Sequence, residues 1–284
     1  MKVYIDGQFY DKKDARISVF DHGLLYGDGV FEGIRIYNGK TFKLAEHIER
    51  LYQSAKALLL EIPLGKEEME KAILNAVAIN NKNSGYIRLI VTRGEGSLGI
   101  DPATCKKATV IIIVGDIQLY PEQCYENGIS IVIAASRRIP SDCIDTRVKS
   151  LNYLNNIMAK MEAKQAGCLE AVMLNKEGFV TECTADNIFV VRNGALLTPA
   201  SFHGALHGIT MQLVKDIAAT IGIRTNETTL TSYDLYNADE CYMTGTGAEI
   251  MPVVKINGRV IGDGKPGPTT KELIIRFREL VMSQ

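Results

Sequence analysis

The sequence predicts a two-domain α/β protein of the α+β kind, in which the strands form mixed sheets. Its 284 residues are enough to bury two cores. Segments with strand and helix periodicity follow one another without the strict alternation of a doubly wound parallel sheet. A stretch at 119–128 places Pro121 and an Asn-Gly turn signal between two apolar regions. We therefore divide the chain into a small N-terminal α/β domain, 1–118, an interdomain linker, 119–128, and a larger C-terminal domain, 129–284.

The elements of the N-terminal domain follow from periodicity and turn signals. An Asp-Gly pair at 6–7 between two short runs is typical of a β-hairpin. Apolar positions from 44 to 58 recur at helical spacing, and Pro63 ends the pattern. The expected elements are strands at 3–5, 8–10, 34–37, 86–92 and 109–114 and helices at 43–60 and 67–80. Within the glycine-rich stretch 23–33, we interpret 27–33 as a tight turn with close backbone packing, because no helix follows it to bind a dinucleotide phosphate. A role for these residues as a wall of a substrate pocket stays open.

The C-terminal domain alternates irregularly between strands and helices. Short apolar runs separated by glycine-containing turns indicate strands, and longer periodic runs indicate helices. The expected strands lie at 129–134, 170–174, 179–181, 187–191, 195–197 and 241–243, and the helices at 154–167, 208–221, 232–236 and 271–282. This irregular order is the reason to expect mixed sheets.

Composition and charge exclude several classes of function. The net charge is −1, so no bulk attraction to nucleic acid or to an anionic membrane is expected. The longest apolar run, 110–114, is too short to span a bilayer, and the first residues lack the apolar segment of a signal peptide. The six cysteines form no C-x-x-C pair and have no histidine at zinc-ligand spacing, so no metal site is expected. We expect a cytoplasmic enzyme.

Lys149 is the first residue that suggests a reaction. It has apolar neighbours, Val148 and Leu151, and is followed by Asn152 and Tyr153, which can both hydrogen-bond a phenolic oxygen. Burial and a nearby cation lower the pKa of a lysine and supply the neutral amine that condenses with an aldehyde. In isolation such a lysine is commonly a surface residue. In this setting it is a candidate for the lysine that binds pyridoxal phosphate.

Glu182 and two turns supply the other groups that this cofactor needs. A carboxylate against the pyridine nitrogen keeps the ring cationic and able to withdraw electrons. The segment 208–210 (Gly-Ile-Thr) opens a helix whose N-terminal N–H groups favour an anion, and the turn at 244–247 (Thr-Gly-Thr-Gly) offers more donors. Arg50 could add a counter-charge. Each feature alone is also typical of a solvated side chain or an ordinary helix cap, but the combination indicates one cofactor.

Together these motifs resemble the class IV aminotransferases, the fold-type IV enzymes that depend on pyridoxal 5′-phosphate. The match runs nearly end to end, with motifs at 20–35, 47–51, 149–153, 182–189, 208–210 and 244–249 in the family's order. The resemblance implies a cofactor between two domains, with the Schiff-base lysine at Lys149, the pyridine-nitrogen partner at Glu182 and the phenolic-oxygen partner at Tyr153. It further implies cofactor contacts from Arg50, Leu206, Gly208, Ile209, Thr210 and Thr246.

Within that family the motifs are most similar to branched-chain amino acid aminotransferases. The segments 31–35 (Phe-Glu-Gly-Ile-Arg) and 86–88 (Tyr-Ile-Arg) carry this likeness. It implies transamination of L-leucine, L-isoleucine or L-valine with 2-oxoglutarate as amino acceptor. The implied substrate contacts are Phe31, Tyr86, Arg88, Thr246, Gly247 and Ala248. Strand alternation puts Tyr86 and Arg88 on one face, which favours a substrate role for Arg88 over an outward-facing salt bridge.

Three alternatives stay open. D-amino-acid aminotransferases carry an Arg-x-His motif after Thr-Arg-Gly, whereas here 92–94 is followed by Glu-Gly-Ser-Leu-Gly at 95–99. The short spacing from Lys149 to Tyr153 nevertheless occurs in D-amino-acid-type as well as branched-chain-like members. Aminodeoxychorismate lyases are the second alternative, although they usually lack the Tyr-x-Arg arrangement. A non-catalytic binding protein that kept the fold is the third.

The resemblance also implies an assembly. Related enzymes bind amino acids and 2-oxo acids in a cleft partly covered by a neighbouring subunit, so a homodimer or a multiple of one is expected. Leu24, Leu25 and Tyr26 form an apolar stretch that would otherwise be exposed, which is consistent with an interface.

Overall fold

The protein consists of two compact units, as seen in a computed structural model that describes residues 1–283. The first unit contains residues 1–117 and 148–152, and the second contains 118–147 and 153–283. The described residues form fifteen strands and eight α-helices. The short segment 148–152 thus groups with the N-terminal residues, although the division made from the sequence puts it in the C-terminal domain.

The first unit is built on a six-stranded antiparallel sheet. Its strands are β1 (Lys2–Ile5), β2 (Gln8–Asp11), β3 (Gly29–Tyr37), β4 (Lys40–Thr41), β5 (Gly85–Thr92) and β6 (Thr109–Gly115), in the spatial order β2-β1-β6-β5-β3-β4. Its helices are α1 (His22–Tyr26), α2 (Leu44–Ala57) and α3 (Lys66–Asn80). Helix α2 packs on β3, and α3 packs on β1 and β6. Leu51 and Ile73 from these helices fill one core together with Ile34 and Leu89 from the sheet.

Residues 27–33 do not form the tight turn expected from the sequence, because most of them belong to β3. Asp21 caps helix α1 by accepting a first-turn N–H at 2.7 Å, and Gly27 ends that helix with φ at 69°. The chain then enters β3 well before the predicted start at residue 34. A Cβ atom at Gly33 would lie 1.8 Å from the Tyr86 hydroxyl, so only glycine leaves room for that phenol. These glycines therefore allow close packing, but they lie at the end of a helix and in a strand instead of in a turn.

The second unit contains a nine-stranded mixed sheet. Its strands are β7 (Ile129–Ile133), β8 (Glu170–Leu174), β9 (Val180–Cys183), β10 (Asn187–Arg192), β11 (Ala195–Pro199), β12 (Thr225–Thr228), β13 (Glu240–Gly245), β14 (Glu249–Ile256) and β15 (Arg259–Val260). The order is β12-β11-β10-β13-β14-β7-β8-β9, and β15 pairs with β14. The pairs β11–β12, β7–β14 and β7–β8 are parallel, whereas β10–β13 and β13–β14 are antiparallel. This arrangement confirms the mixed sheets predicted from the sequence.

Helices pack on this sheet. They are α4 (Glu122–Asn127), α5 (Leu154–Gln165), α6 (Ile209–Thr220), α7 (Ser232–Tyr236) and α8 (Pro268–Met282). Helix α5 packs on β8, and α6 packs on β13 and on α8. Helix α4 lies inside the segment interpreted as a linker. Across residues 1–283, no helix combines the length and the apolar composition needed to cross a membrane.

Strands β12 and β14 were not expected, and their sequences explain why. Strand β12 reads Thr-Asn-Glu-Thr, which has no apolar alternation, and it pairs only at the end of the sheet. Strand β14 contains Pro252, which lacks a backbone N–H and argues against an internal strand position. The strand forms nevertheless, with Pro252 opposite Tyr242.

The N-terminus of α8 is held by a carboxylate from β13. The N-cap residue, Gly267, makes no side-chain bond of its own. Glu240 Oε1 accepts the Thr269 N–H at 3.0 Å, and Oε2 accepts the Thr270 N–H and hydroxyl at 2.7 Å each. These contacts satisfy first-turn donors and put a negative charge at the positive end of the helix. A Cβ at Gly267 would lie 2.2 Å from Glu240 Cδ, so the position requires glycine.

We expect Glu240→Ala to loosen α8. The change leaves the Thr269 and Thr270 N–H groups without their acceptor, and a hydrogen bond to a charged group is worth roughly 1.5–3 kcal/mol. The exchange rates of the Thr269 and Thr270 amides should rise, and the Tm should fall. The matched control is Glu279→Ala on the exposed side of the same helix, which should change neither. Equal behaviour of the two variants would contradict the capping role.

Candidate active site

The residues predicted from the sequence fall into two sets, one in each unit. The first unit contributes Phe31, Arg50, Tyr86, Arg88 and Lys149. The second contributes Tyr153, Glu182, Leu206, Gly208, Ile209, Thr210, Thr246, Gly247 and Ala248.

Lys149 is fixed by its backbone along the edge of β3. Its N–H donates to Ser54 Oγ on α2 at 3.1 Å, and its carbonyl accepts the Phe31 N–H at 3.0 Å. Leu151 N–H donates to the Gly29 carbonyl at 2.9 Å, so this segment extends the sheet by a short antiparallel bridge. The side chain is half-buried, and Nζ lies 4.5 Å from the centre of the Phe31 ring. A lysine with a fixed backbone and a partly desolvated amine suits covalent chemistry.

Phe31, Tyr86 and Arg88 form an aromatic and cationic surface on one face of the first sheet. The guanidinium carbon of Arg88 lies 4.7 Å from the centre of the Phe31 ring and 5.4 Å from that of Tyr86. Gly33 stands directly opposite Arg88 in the β3–β5 pair, and its missing side chain makes room for Tyr86. The face therefore presents apolar rings and one half-buried cation side by side.

Arg50 is paired with a carboxylate inside the first unit. Glu32 is fully buried, and it accepts Arg50 Nε–H at 2.7 Å, Arg50 Nη2–H at 2.8 Å and His47 Nδ1–H at 2.7 Å. Burial pushes the pKa of Glu32 upward, but the charge and hydrogen bonds of Arg50, with those of His47, lower it from 4.5 to about 2. Burial also lowers the pKa of His47, against the effect of Glu32. His47 is therefore neutral at pH 7, with its proton on Nδ1, because an ionised carboxylate can only accept.

Glu182 is held in place by three donors in the second unit. Oε1 accepts Arg138 Nη2–H at 2.7 Å, and Oε2 accepts the Leu206 N–H at 2.9 Å and Asn187 Nδ2–H at 3.4 Å. The side chains of Glu182 and Arg138 are each only 7% exposed. Leu206 thus acts through its backbone. An immobile carboxylate beside a cation is suited to accept the N–H of a protonated pyridine.

Arg138 is the residue that the sequence did not reveal. Each of its nitrogens donates: Nε to the Gly204 carbonyl at 3.1 Å, Nη1 to Asn156 Oδ1 at 2.7 Å and Nη2 to Glu182. It follows β7 in an irregular segment that matches none of the motifs above. An Arg-Arg pair at 137–138 next to an apolar run is the sole signal, and it does not tell which arginine is buried.

The N-terminus of α6 is open at its first turn. Gly208 occupies the N-cap and makes no side-chain hydrogen bond. A Cβ there would lie 1.9 Å from Asn187 Oδ1, so only glycine fits. The N–H groups of Ile209 and Thr210 follow, and the Thr210 side chain is buried. The positive end of a twelve-residue helix without a side-chain cap favours a bound anion.

The turn between β13 and β14 presents the remaining predicted residues. Thr246 and Gly247 are half-buried and Ala248 is buried. Glu249 closes the turn with φ at 58°, in the left-handed region that is unusual for this residue type. Within residues 1–283, the buried Thr244 hydroxyl just before the turn has no hydrogen-bond partner. A polar atom left without a partner in this way is consistent with a ligand.

This donor set fits pyridoxal 5′-phosphate. Lys149 offers an amine for the aldehyde, and Glu182 offers a carboxylate for the ring nitrogen. The first turn of α6 offers N–H groups for a phosphate. Tyr153, half-buried at the N-cap of α5, offers a phenol. An aldehyde, a basic ring nitrogen and a phosphate are the three recognition elements of that molecule.

Comparison with known proteins identifies the family. The model of the amino-transferase class IV family matches residues 29–256, so the chain belongs to the class IV aminotransferases. A Methanocaldococcus jannaschii protein provisionally named a branched-chain-amino-acid aminotransferase is 51% identical over 280 residues, covering 99% of this chain and 96% of that protein. The D-alanine aminotransferase of Listeria monocytogenes serotype 1/2a is 38% identical over 282 residues, covering 98% and 96%.

Solved structures agree with the family. A T.th. branched-chain amino acid aminotransferase with pyridoxamine 5′-phosphate matches with a TM-score of 0.95 at 37% identity, covering 99% of this chain and 94% of that one. The same enzyme with N-(5′-phosphopyridoxyl)-L-glutamate matches with a TM-score of 0.93 at 36% identity and the same coverage. The fold-type IV architecture and the aminotransferase class predicted from the motifs are therefore confirmed.

We expect Arg138→Met to destabilise the second unit. Removing one partner of a buried ion pair leaves an uncompensated charge, at a cost of roughly 3–5 kcal/mol. Thermal unfolding should show a clear fall in Tm, and Arg138→Met with Glu182→Gln should recover part of it. Arg137→Met is the matched control, since Arg137 is exposed and donates to the Ala134 carbonyl. Additive losses in the double variant would show that the ion pair is not the cause.

Proposed function

We propose that the protein transfers amino groups from L-leucine, L-isoleucine and L-valine to 2-oxoglutarate with pyridoxal 5′-phosphate as cofactor. The observation that carries the proposal is the Phe31 ring, which has Lys149 Nζ at 4.5 Å and the Arg88 guanidinium at 4.7 Å from its centre. An apolar wall and a cation thus lie within reach of the amine that would react. The name of the M. jannaschii relative and the L-glutamate conjugate in the T.th. structure support the same pair of substrates.

One pocket must serve both substrates in turn. A transaminase binds the amino donor, releases the oxo acid and then binds the acceptor at the same place. Phe31 and Tyr86 can line the pocket for branched apolar side chains, and Arg88 can pair with the γ-carboxylate of 2-oxoglutarate. Tyr86 and the turn residues Thr246, Gly247 and Ala248 would hold the α-carboxylate.

The roles of the cofactor-binding residues follow from their chemistry. Bound pyridoxal phosphate supplies an aldehyde carbon and an electron-withdrawing ring. Lys149 would hold the cofactor through Nζ, and its freed amine would serve as the base that moves a proton between the substrate Cα and C4′ of the cofactor. Glu182 accepts the ring N–H and keeps that nitrogen protonated. Tyr153 donates to the phenolic oxygen.

Phosphate binding is proposed for Arg50, for the first turn of α6 and for the turn after β13. Arg50 supplies the cation, and Ile209, Thr210 and Thr246 supply N–H and hydroxyl donors. Gly208 and Leu206 act through the backbone, since the first leaves the helix end open and the second holds Glu182.

A D-amino-acid aminotransferase is the second candidate. The L. monocytogenes D-alanine aminotransferase, at 38% identity over nearly the whole chain, favours it. The lack of an Arg-x-His motif after 92–94 favours the branched-chain enzyme instead.

We also propose that the enzyme is a cytoplasmic homodimer or a multiple of one. Leu154, Ile157, Met158 and Met161 make an exposed apolar stripe at helical spacing along α5. Leu24 and Tyr26, singled out from the sequence, are also exposed, at 60% and 39%. Exposed apolar groups of this size favour burial against another subunit.

The substrate proposal predicts a clear order of activities. Assayed side by side with 2-oxoglutarate, L-leucine and L-valine should turn over faster than D-alanine. Aminodeoxychorismate should not be converted. Faster turnover of D-alanine would reject the branched-chain proposal in favour of the D-amino-acid candidate.

We expect Lys149→Ala to fold but to lose activity by roughly 10²–10⁴-fold or more, the range for a lost general acid–base. Borohydride should fix the cofactor to the parent protein at a peptide that contains Lys149, and mass spectrometry should detect none on the variant. Lys56→Ala, an exposed lysine of α2, is the matched control and should label like the parent. Labelling of Lys149→Ala would mean that another lysine binds the cofactor.

Arg88→Ala should separate the two half-reactions. Losing a charge-assisted contact to the γ-carboxylate, worth roughly 1.5–3 kcal/mol, should slow the half-reaction with glutamate by about 10- to 100-fold. The half-reaction with leucine should change little, because leucine has no distal charge. Single-turnover absorbance measurements give both rates. Arg88→Lys serves as the charge-retaining control, and equal losses in both half-reactions would leave Arg88 a structural role only.

A further inference from the structure

We propose that Glu32 is a positioning residue of the cofactor site, which fixes the Arg50 guanidinium in one orientation so that its other N–H groups meet the cofactor phosphate. The inference rests on the proposed function, because it takes Arg50 as a phosphate ligand. It adds a residue that would touch neither cofactor nor substrate.

The geometry of the pair sets the direction of the guanidinium. Glu32 Oε1 and Oε2 accept Nε–H at 2.7 Å and Nη2–H at 2.8 Å, which are parallel bonds along one edge of a planar group. Such a bidentate pair determines both the plane and the rotation of the guanidinium. The other three N–H bonds of Arg50, two on Nη1 and one on Nη2, then point along fixed directions.

His47 completes the contacts of the carboxylate. Its Nδ1–H donates to Glu32 Oε2 at 2.7 Å, the same oxygen that accepts Arg50 Nη2–H. His47 and Arg50 stand one turn apart on α2, so one carboxylate from β3 holds two side chains of that helix. Each acceptor is used, and Glu32 cannot rotate without breaking all three bonds.

Stability alone does not explain this arrangement. Glu32 is 0% exposed, in a unit whose apolar core contains residues such as Ile34 and Leu51. Burying an ion pair is commonly no more stabilising than well-packed apolar residues of similar volume, because desolvation offsets the attraction. A fully buried carboxylate paired with an arginine that is predicted to bind the cofactor is therefore better explained by orientation of that arginine.

Charge and orientation make opposite predictions about phosphate binding. By charge alone, Glu32 reduces the positive field of Arg50, so its removal would strengthen binding of an anion. By orientation, its removal frees a long side chain whose rotamers must be ordered again when the phosphate binds. Orientation should dominate, since arginine recognises phosphate by fixed planar geometry as well as by charge.

The test compares two ligands that differ only in the phosphate. Apoenzyme is titrated with pyridoxal 5′-phosphate and with pyridoxal, and each Kd is measured by absorbance for the parent, Glu32→Gln and Arg50→Ala. Glu32→Gln should weaken pyridoxal phosphate binding by roughly tenfold or more, as is typical when a supporting residue is lost, and leave pyridoxal binding unchanged. Glu46→Gln, an exposed carboxylate on the same helix, is the matched control and should alter neither Kd.

A combined variant tests whether Glu32 acts through Arg50. Glu32→Gln with Arg50→Ala should bind pyridoxal phosphate no more weakly than Arg50→Ala alone. Additive losses would overturn the proposal. So would tighter binding by Glu32→Gln, or an equal loss for both ligands with a lower Tm, which would indicate a merely structural role.

The outcomes also separate this proposal from the proposed function. If Arg50→Ala binds pyridoxal phosphate like the parent, the assignment of Arg50 to the phosphate is wrong. If only Arg50→Ala weakens binding, the phosphate contact stands and the positioning role of Glu32 is overturned. Should Glu32→Gln fail to fold, Glu32→Asp keeps the charge but is one methylene too short for both bonds. Glu32→Asp should also weaken binding of pyridoxal phosphate but not of pyridoxal. If the ratio of its two Kd values equals that of the parent, the proposal is rejected.

Discussion

Backbone hydrogen bonds join the lysine segment, residues 148–152, to the edge of β3, and the rest of the predicted site depends on this constraint. Phe31 donates to the carbonyl of Lys149, and Leu151 donates to that of Gly29, so the lysine inherits the rigidity of a six-stranded sheet. The same strand orients Phe31, toward which the amine projects. Without these bonds the reactive lysine would lie on a loop, and its position would be less precisely fixed than on a sheet.

Three of the buried carboxylates each accept hydrogen bonds from several donors. Glu32 is held by an arginine and a histidine, and Glu182 by an arginine and two amides. Glu240 is held by the start of a helix. In every case the desolvation of the charge is offset by several short bonds, so a neutral substitute would leave more than one donor without a partner. The bonds hold these three side chains in fixed positions, and two of them, Glu32 and Glu182, lie next to residues predicted to bind the cofactor.

Much of the fold and of the candidate site could be predicted from the sequence, because the motifs and periodic patterns that indicate them are local. The apolar periodicity of 44–58 gave helix α2, and the Asp-Gly pair at 6–7 gave the first hairpin. Candidate cofactor residues such as Lys149 and Glu182 came from motifs that pair a side chain with its neighbours in the chain. What could not be predicted depends on contacts between distant segments. Arg138 matters because it pairs with Glu182, forty-four positions later in the chain. No residue near Arg138 in the sequence indicates that partner.

Backbone conformation was a second reason why the structure differs from the elements predicted from the sequence. The glycines of 27–33 suggested a turn, because glycine adopts turn conformations easily, yet they lie at the end of a helix and in a strand. Strand β14 was not predicted because it contains Pro252, which lacks an N–H. The structure shows that one missing N–H is tolerated in an otherwise well-paired strand.

The chain leaves the second unit at residue 148 and returns to it at 153, and this short excursion has a consequence for dissecting the protein. Neither unit is a contiguous stretch of polypeptide. A fragment that stops at residue 117 would lack the segment that pairs with Gly29 and Phe31, leaving part of the edge of β3 with unsatisfied backbone groups. Unpaired strand edges are templates for intermolecular pairing. An isolated N-terminal fragment would thus be prone to aggregate. To produce the first unit alone, the lysine segment would have to be fused to residues 1–117, because cutting the chain at one position cannot separate the two units.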